Sequence, residues 1–166
     1  MPYSSIIKTK RDGTLLLADN AAVHSLTVAY EAGDFNLSIP GPGVNNFLDR
    51  GLIGATPSIR YGDDAPMTFT FTANLRDLSD AAYATLEEIL MQSGIVGTAW
   101  VTTMGATGEV FALDLTWTIA GLVHGDAANH VIKLPYSVLT GSLAEGDPDT
   151  ISISGTSYAL YPTIVS

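Results

Sequence analysis

Histidine is the residue type that titrates near neutral pH, so His24, His124 and His130 are the first candidates for acid-base chemistry or metal binding. The last two bracket the segment HGDAANH, with Asp126 between them. Their spacing differs from the helical HExxH pattern of zinc enzymes, and glycine, aspartate and asparagine are typical of a turn. The sequence therefore favours a solvated turn over a metal site.

Carboxylates and hydroxyls offer the remaining chemistry. Asp63 and Asp64 are adjacent, and acidic residues alternate over 145–149, but that second run lacks the glycine and distal glutamate of a calcium-binding EF-hand loop. No GxSxG nucleophile elbow occurs, and the chain contains 0 cysteines, which excludes thiolate chemistry. We expect a protein that is not an enzyme and that has no catalytic residue, cofactor or bound metal.

Composition narrows the class of protein further. The 166 residues suit a single domain over 1–166, and only 14% of them are charged, against roughly 25% in ordinary soluble proteins. The formal net charge of -10 predicts repulsion of nucleic acid rather than binding. We find neither a signal-peptide layout nor an apolar run long enough to cross a bilayer, so we expect a protein made in the cytoplasm that does not contact membranes.

Alternating apolar and polar residues predict a mainly β chain. One helix is expected at about 80–93, with an N-cap at Ser79 and a left-handed end at Gly94. These patterns favour a β-sandwich or flattened barrel with a single flanking helix. The predicted strands cover 14–18, 25–30, 35–39, 67–72, 99–103, 109–119, 131–140, 150–154 and 157–165.

A long connection at about 41–64 separates two predicted strands. It is rich in glycine, proline and asparagine, yet its apolar residues fit neither a helix face nor a strand face. Such long connections are uncommon in compact domains unless they have a function. We therefore expect these apolar side chains to contact another subunit, and the candidate interface residues are Val44, Phe47, Leu48, Leu52 and Ile53.

The polar faces of the predicted strands carry small uncharged side chains, where a sheet facing bulk solvent usually carries lysine and glutamate. Two interpretations stay open: a smooth polar lining, or a solvated face built from β-favouring threonines. The positions that would face a channel under the first interpretation are Thr68, Thr70, Thr72, Asp114, Thr116 and Thr118.

A glycine-and-acid turn, Gly62, Asp63, Asp64 and Pro66, leads into the alternating strand 67–72, and a helix follows. This order of hairpin, long loop, strand and helix resembles the major tail tube proteins of long-tailed bacteriophages. The resemblance covers most of the chain, is one of layout, and extends to the tube-like fold of type VI secretion.

The resemblance implies a structural virion protein that assembles as hexameric rings stacked into a tail tube. Its partners would be other copies of itself and further tail proteins, such as the tape measure, the tail terminator and the tail tip. DNA would pass through the lumen during ejection without specific binding, and the protein would be located in the virion tail. The alternative is a carbohydrate- or ligand-binding β-sandwich module, in which Trp100, Trp117, Tyr158 and Tyr161 could form a sugar platform.

Overall fold

The computed structural model describes residues 13–20, 23–28, 30, 34–47, 58–75, 84–104, 110–121, 125, 127–159 and 161–165. Strands dominate these residues, which confirms the predicted mainly β class. The elements in chain order are β1 (Gly13–Ala18), β2 (Ser25–Val28), β3 (Asn36–Ser38), β4 (Val44–Phe47), β5 (Ser58–Tyr61), β6 (Met67–Asn74), α1 (Leu86–Met91), α2 (Gly94–Ala99), β7 (Leu113–Ile119), β8 (His130–Ala144), β9 (Thr150–Ser157) and β10 (Thr163–Val165).

An antiparallel sheet of 8 strands makes up most of the structure, in the order β2-β1-β7-β8-β9-β6-β3, with β10 paired to β8 outside this path. The sheet folds over on itself. Tyr30, just beyond β2, forms a bridge with Ala73 of β6, and the ring of Phe35 beside β3 lies 4.9 Å from that of Trp117 on β7. Strands from opposite ends of the order thus meet, as in the predicted sandwich or flattened barrel.

The core lies between the two halves of the folded sheet. Strict alternation on β6 buries Met67, Phe69, Phe71 and Ala73, and turns the intervening polar side chains outward. Strands β1, β7 and β9 contribute leucines and isoleucines to the same interior. Within the described residues, no helix is long and apolar enough to span a membrane.

The long strand β8 divides the sheet. Its residues 130–137 pair with β7, whereas residues 137–144 pair with β9. The change falls at Pro135 and Tyr136, where Tyr136 adopts a φ of 54°. We call β3, β6, β9 and residues 137–144 of β8 the four-stranded half.

The helical region differs from the prediction of one helix at 80–93. Helix α1 begins only after Thr85, whose side chain accepts from the backbone N–H of Glu88 in a capping box. The left-handed end predicted at Gly94 is wrong, because α1 ends with Gln92 as its left-handed C-cap at a φ of 51°. Gly94 has a positive φ of 58° but begins a second helix, α2. The strand predicted at 99–103 is wrong, because Ala99 is the last residue of α2, Trp100 is its C-cap with its backbone N–H bonded to the carbonyl of Val96, and residues 101–103 belong to no strand. Ser79 and residues 80–83 lie outside the described residues.

The connection at about 41–64 was predicted to be a loop, but it contains two strands. Strands β4 and β5 pair with each other as a separate two-stranded antiparallel sheet. Each strand spans 4 residues, too few for a period of two to stand out among the surrounding turn residues.

Candidate assembly surfaces

The outer surface of the four-stranded half is built from hydroxyl side chains in register. Directly opposed residues of antiparallel strands point to the same face. The rows that result cross the strands from β3 to β8, and we call this surface the hydroxyl face. Its rows are Ser38, Thr68, Thr156 and Val138; Asn36, Thr70, Ser154 and Thr140; and Thr72, Ser152 and Ser142.

The hydroxyl face is concave and almost uncharged. A depression of about 400 Å³ lies over it, lined by the hydroxyl residues of β6, β8 and β9, by Phe71, Gly141 and Ile153 between them, and by Asp34. The hydroxyls of Thr140 and Ser154 hydrogen-bond each other at 2.9 Å, so neighbouring strands satisfy part of their own polar surface. Such a surface presents many weak polar groups and little fixed charge.

Three of the predicted channel residues lie on the hydroxyl face. Thr68 and Thr70 are exposed and Thr72 is half-buried, and all three point away from the core. The hydroxyl pattern arises here because β6, β8 and β9 all alternate, and the register brings their polar positions together.

The other three predicted channel residues lie on β7, in the other half of the sheet. Asp114, Thr116 and Thr118 are half-buried, and Asp114 forms a 2.7 Å ion pair with Lys133 of β8. Their rows cross β1, β7 and the first part of β8, and no row joins them to the hydroxyl face. The channel assignment of this second set stays a prediction.

The two-stranded sheet of β4 and β5, which we call the arm, exposes an apolar face. Register places Val44 opposite Tyr61 and Asn46 opposite Ile59. The side chains of Val44, Ile59 and Tyr61 are 51%, 68% and 89% exposed, respectively. An isolated two-stranded hairpin is marginally stable in water. The arm therefore has the properties of a segment that is stabilised when another surface covers it.

Of the predicted interface residues, Val44 lies on this apolar face. Phe47 is the last residue of β4, and the structure describes its backbone only. Leu48, Leu52 and Ile53 lie outside the described residues. The interface role of all five stays a prediction. The set of candidate interface residues did not include Ile59 and Tyr61, because a strand of 4 residues is too short for their alternation with Ser58 and Arg60 to stand out.

Two strand edges of the four-stranded half lack a partner among the described residues. One is the outer edge of β3, which pairs only with β6. The other is the edge of β8 over residues 138–144, because β7 pairs with β8 only up to Ser137. Unpaired edges can hydrogen-bond a strand from another chain.

The residues that could do chemistry do not converge. The ring of His24 stacks on Trp100 at 6.2 Å, and His130 begins β8, whereas His124 and Asp126 are outside the description. Across the part of the chain that the structure describes, no three His, Asp or Glu side chains are grouped to hold a metal ion.

The four aromatic residues proposed as a sugar platform differ in how far they are buried. Trp100 is 8% exposed, and the indole Nε1 of Trp117 is buried where that ring packs on Phe35. Tyr158 and Tyr161 are 60% and 70% exposed. The two tryptophans pack in or against the core, so the four rings do not form one exposed platform. This placement disfavours the carbohydrate-binding alternative.

Comparison with known proteins gives a likeness of fold without a likeness of sequence. No protein-family model matches the chain, and no curated protein matches it significantly. The fold of the chain does match a solved structure. This is a chain in the cryo-EM structure of the PVC extracellular contractile injection system, described as its sheath/tube terminator in the extended state. The TM-score is 0.54 at 9% identity, over 92% of this chain and 93% of the other. The two chains therefore share one fold over nearly their whole length.

Proposed function

We propose that the chain is a structural subunit of a tail-like tube, which assembles into rings that stack along an axis. The observation that carries this proposal is the four-stranded half, which combines a concave, almost uncharged hydroxyl face with one edge on each side that lacks a partner among the described residues. The likeness of fold to a tube terminator supports a role in such an assembly.

Ring formation follows from the two unpaired edges. Strand β3 of one copy pairs with residues 138–144 of β8 in the next copy, and the same junction repeats around the ring. Such a head-to-tail contact generates a closed ring when the rotation per subunit closes. Closure joins the four-stranded halves into one inner barrel and removes their exposed edges along the residues that pair. The resemblance to tail tube proteins implies six copies per ring.

The hydroxyl face lines the inner barrel. Thr68, Thr70 and Thr72 then face the lumen, where hydroxyls offer no cation to hold phosphate. The chain's net charge of -10 adds long-range repulsion. DNA can pass through such a lumen without specific binding. The proposed partners are copies of the same chain and other tail components, including a tape measure, a terminator and a tail tip.

Electron microscopy of the concentrated protein tests the assembly. We expect rings and stacked tubes in negative stain. The likeness to a terminator favours a second candidate function, a ring that caps a tube instead of repeating along it. Single rings that never stack would support the cap, and a monomer at every concentration, alone or with tail initiator proteins, would contradict both.

Cysteine labelling tests whether the hydroxyl face lines the lumen. The chain contains 0 cysteines, so a single introduced cysteine is the only thiol that can react. We expect Thr70→Cys to react with a bulky polyethylene-glycol maleimide in unassembled protein and to be protected in tubes. Thr27→Cys, on the exposed side of β2, is the matched variant and should react in both states. Equal reaction of Thr70→Cys before and after assembly would show that the face does not line the lumen.

A further inference from the structure

The core-facing side of the four-stranded half carries apolar side chains at both of the edges that lack a partner among the described residues. Register places four residues in one row across the strands: Leu37 of β3, Phe69 of β6, Gly155 of β9 and Leu139 of β8. Phe69 in the middle of this row is buried, whereas the two leucines at its ends are only half-buried. The apolar layer of the subunit therefore extends to both edges.

Helix α1 widens the apolar surface beside β8. A Cβ at Gly141 would lie 2.6 Å from Cδ1 of Leu90, so α1 packs over the core-facing side of β8 at this glycine. Two residues further along β8, Leu143 shares the core-facing row of Ile151 and is nevertheless 57% exposed. We call Leu90, Leu139 and Leu143 the edge strip.

A cavity of about 60 Å³ opens beside the edge strip, between α1, residues 110–113 and residues 137–139 of β8. Most of its lining residues are apolar, with Phe111 among them, and its polar members are Gln92 and Ser137. No charged residue of the described part of the chain lines it. Because an unpaired charge is costly to bury, the cavity favours an uncharged side chain as its occupant.

Strand direction indicates that a second copy of the chain fits this edge. Each strand of the four-stranded half is antiparallel to its neighbour, so β3 and β8 run in opposite directions. Rotation about a ring axis keeps the direction of each strand along that axis. The β3 edge of one copy therefore meets the β8 edge of the next in the antiparallel sense of every other pair in the sheet. It brings Leu37 and, directly after β3, Ile39, which is 50% exposed.

Resting on the proposed function, we propose that Leu37 and Ile39 of one copy cover the edge strip of the next copy in the same ring. The contact adds an apolar layer outside the inner barrel and makes α1 part of the subunit interface. It also selects the register of the junction. A slip of one residue would set the apolar side of one copy against the hydroxyl face of the next.

Replacement of Leu143 by aspartate tests the contact. Because Leu143 is 57% exposed in the single subunit, we expect Leu143→Asp to keep the β circular-dichroism signal and the Tm. In the ring its carboxylate would be covered by apolar side chains. We expect half-maximal ring formation, measured by sedimentation velocity, to require about a hundredfold more protein.

Met91→Asp is the matched control, since Met91 is a 66% exposed side chain of α1 outside the edge strip and the cavity, and the change in charge is the same. It should form rings as the unmodified protein does. The inference is wrong if Leu143→Asp forms rings at the unmodified protein's concentration, or if Met91→Asp is impaired equally. Absence of rings from the unmodified protein overturns the proposed function as well.

Disulfide formation between copies tests the contact without a buried charge, because the chain contains 0 cysteines. Ile39→Cys is combined with Leu139→Cys or Leu143→Cys on the core-facing side, and with Thr140→Cys on the hydroxyl face as the control. In oxidised rings we expect a ladder of linked subunits from a core-facing pair and none from the control. Intact rings in which only the control pair, or no pair, forms a ladder would overturn the inference and leave ring formation standing.

Discussion

We expect the Ile59→Asp/Tyr61→Asp variant to fold normally and to form no tubes. In the single subunit these side chains are 68% and 89% exposed, so their replacement changes the free energy of unfolding by less than about 0.5 kcal/mol. In the assembly they would be covered by another copy. Apolar residues at the centre of an interface contribute about 2 kcal/mol or more each, so their loss weakens each contact about a thousandfold.

Tyr161→Asp is the matched control for this variant, because Tyr161 is 70% exposed and lies outside the arm. We expect it to assemble normally. Sedimentation velocity measures assembly, and circular dichroism with thermal melting checks the fold. Normal rings and tubes in the arm variant would show that its apolar face is not an assembly surface, and a lost β signal would show that the arm stabilises the subunit itself.

The second large effect is expected at Gly155 in the middle of β9. Its position faces the core in the row of Phe69 and Leu139, and a Cβ there would lie 2.3 Å from Cζ of the Phe69 ring. Phe69 is 1% exposed and enclosed by other core residues, so its ring has little room to move. We expect Gly155→Ala to cost about 3 kcal/mol of stability, at the upper end for overpacking, and to lower the Tm by about 6–12 °C.

Gly41→Ala is the control for backbone effects, because no atom lies within 4 Å of a Cβ at this exposed position. We expect its stability to stay within about 0.5 kcal/mol of the original. Denaturant titration of both variants measures the difference. Equal stability of the two alanine variants would mean that the core around Phe69 is loose enough to admit a methyl group.

Periodicity was sufficient to predict most of the large sheet. Strands such as β6 alternate apolar and polar residues over their full length, and burial of one face enforces this pattern locally, so it can be predicted without knowing the partner strand. Composition likewise predicted a surface poor in charge. The short helix α2 was missed because Gly94 and Gly97 weaken the helical signal, while burial of Val96 in the tertiary structure favours the helix.

The amino-acid sequence by itself determined the order of polar and apolar residues along each strand, and thus the hydroxyl side chains of β6 and the apolar side chains of the 41–64 connection. Only the tertiary structure decided which strands lie side by side. That pairing separates Thr70 from Thr116 although both alternate in the same way. The physical reason is that strand register depends on contacts between residues far apart in the chain, which no local pattern specifies.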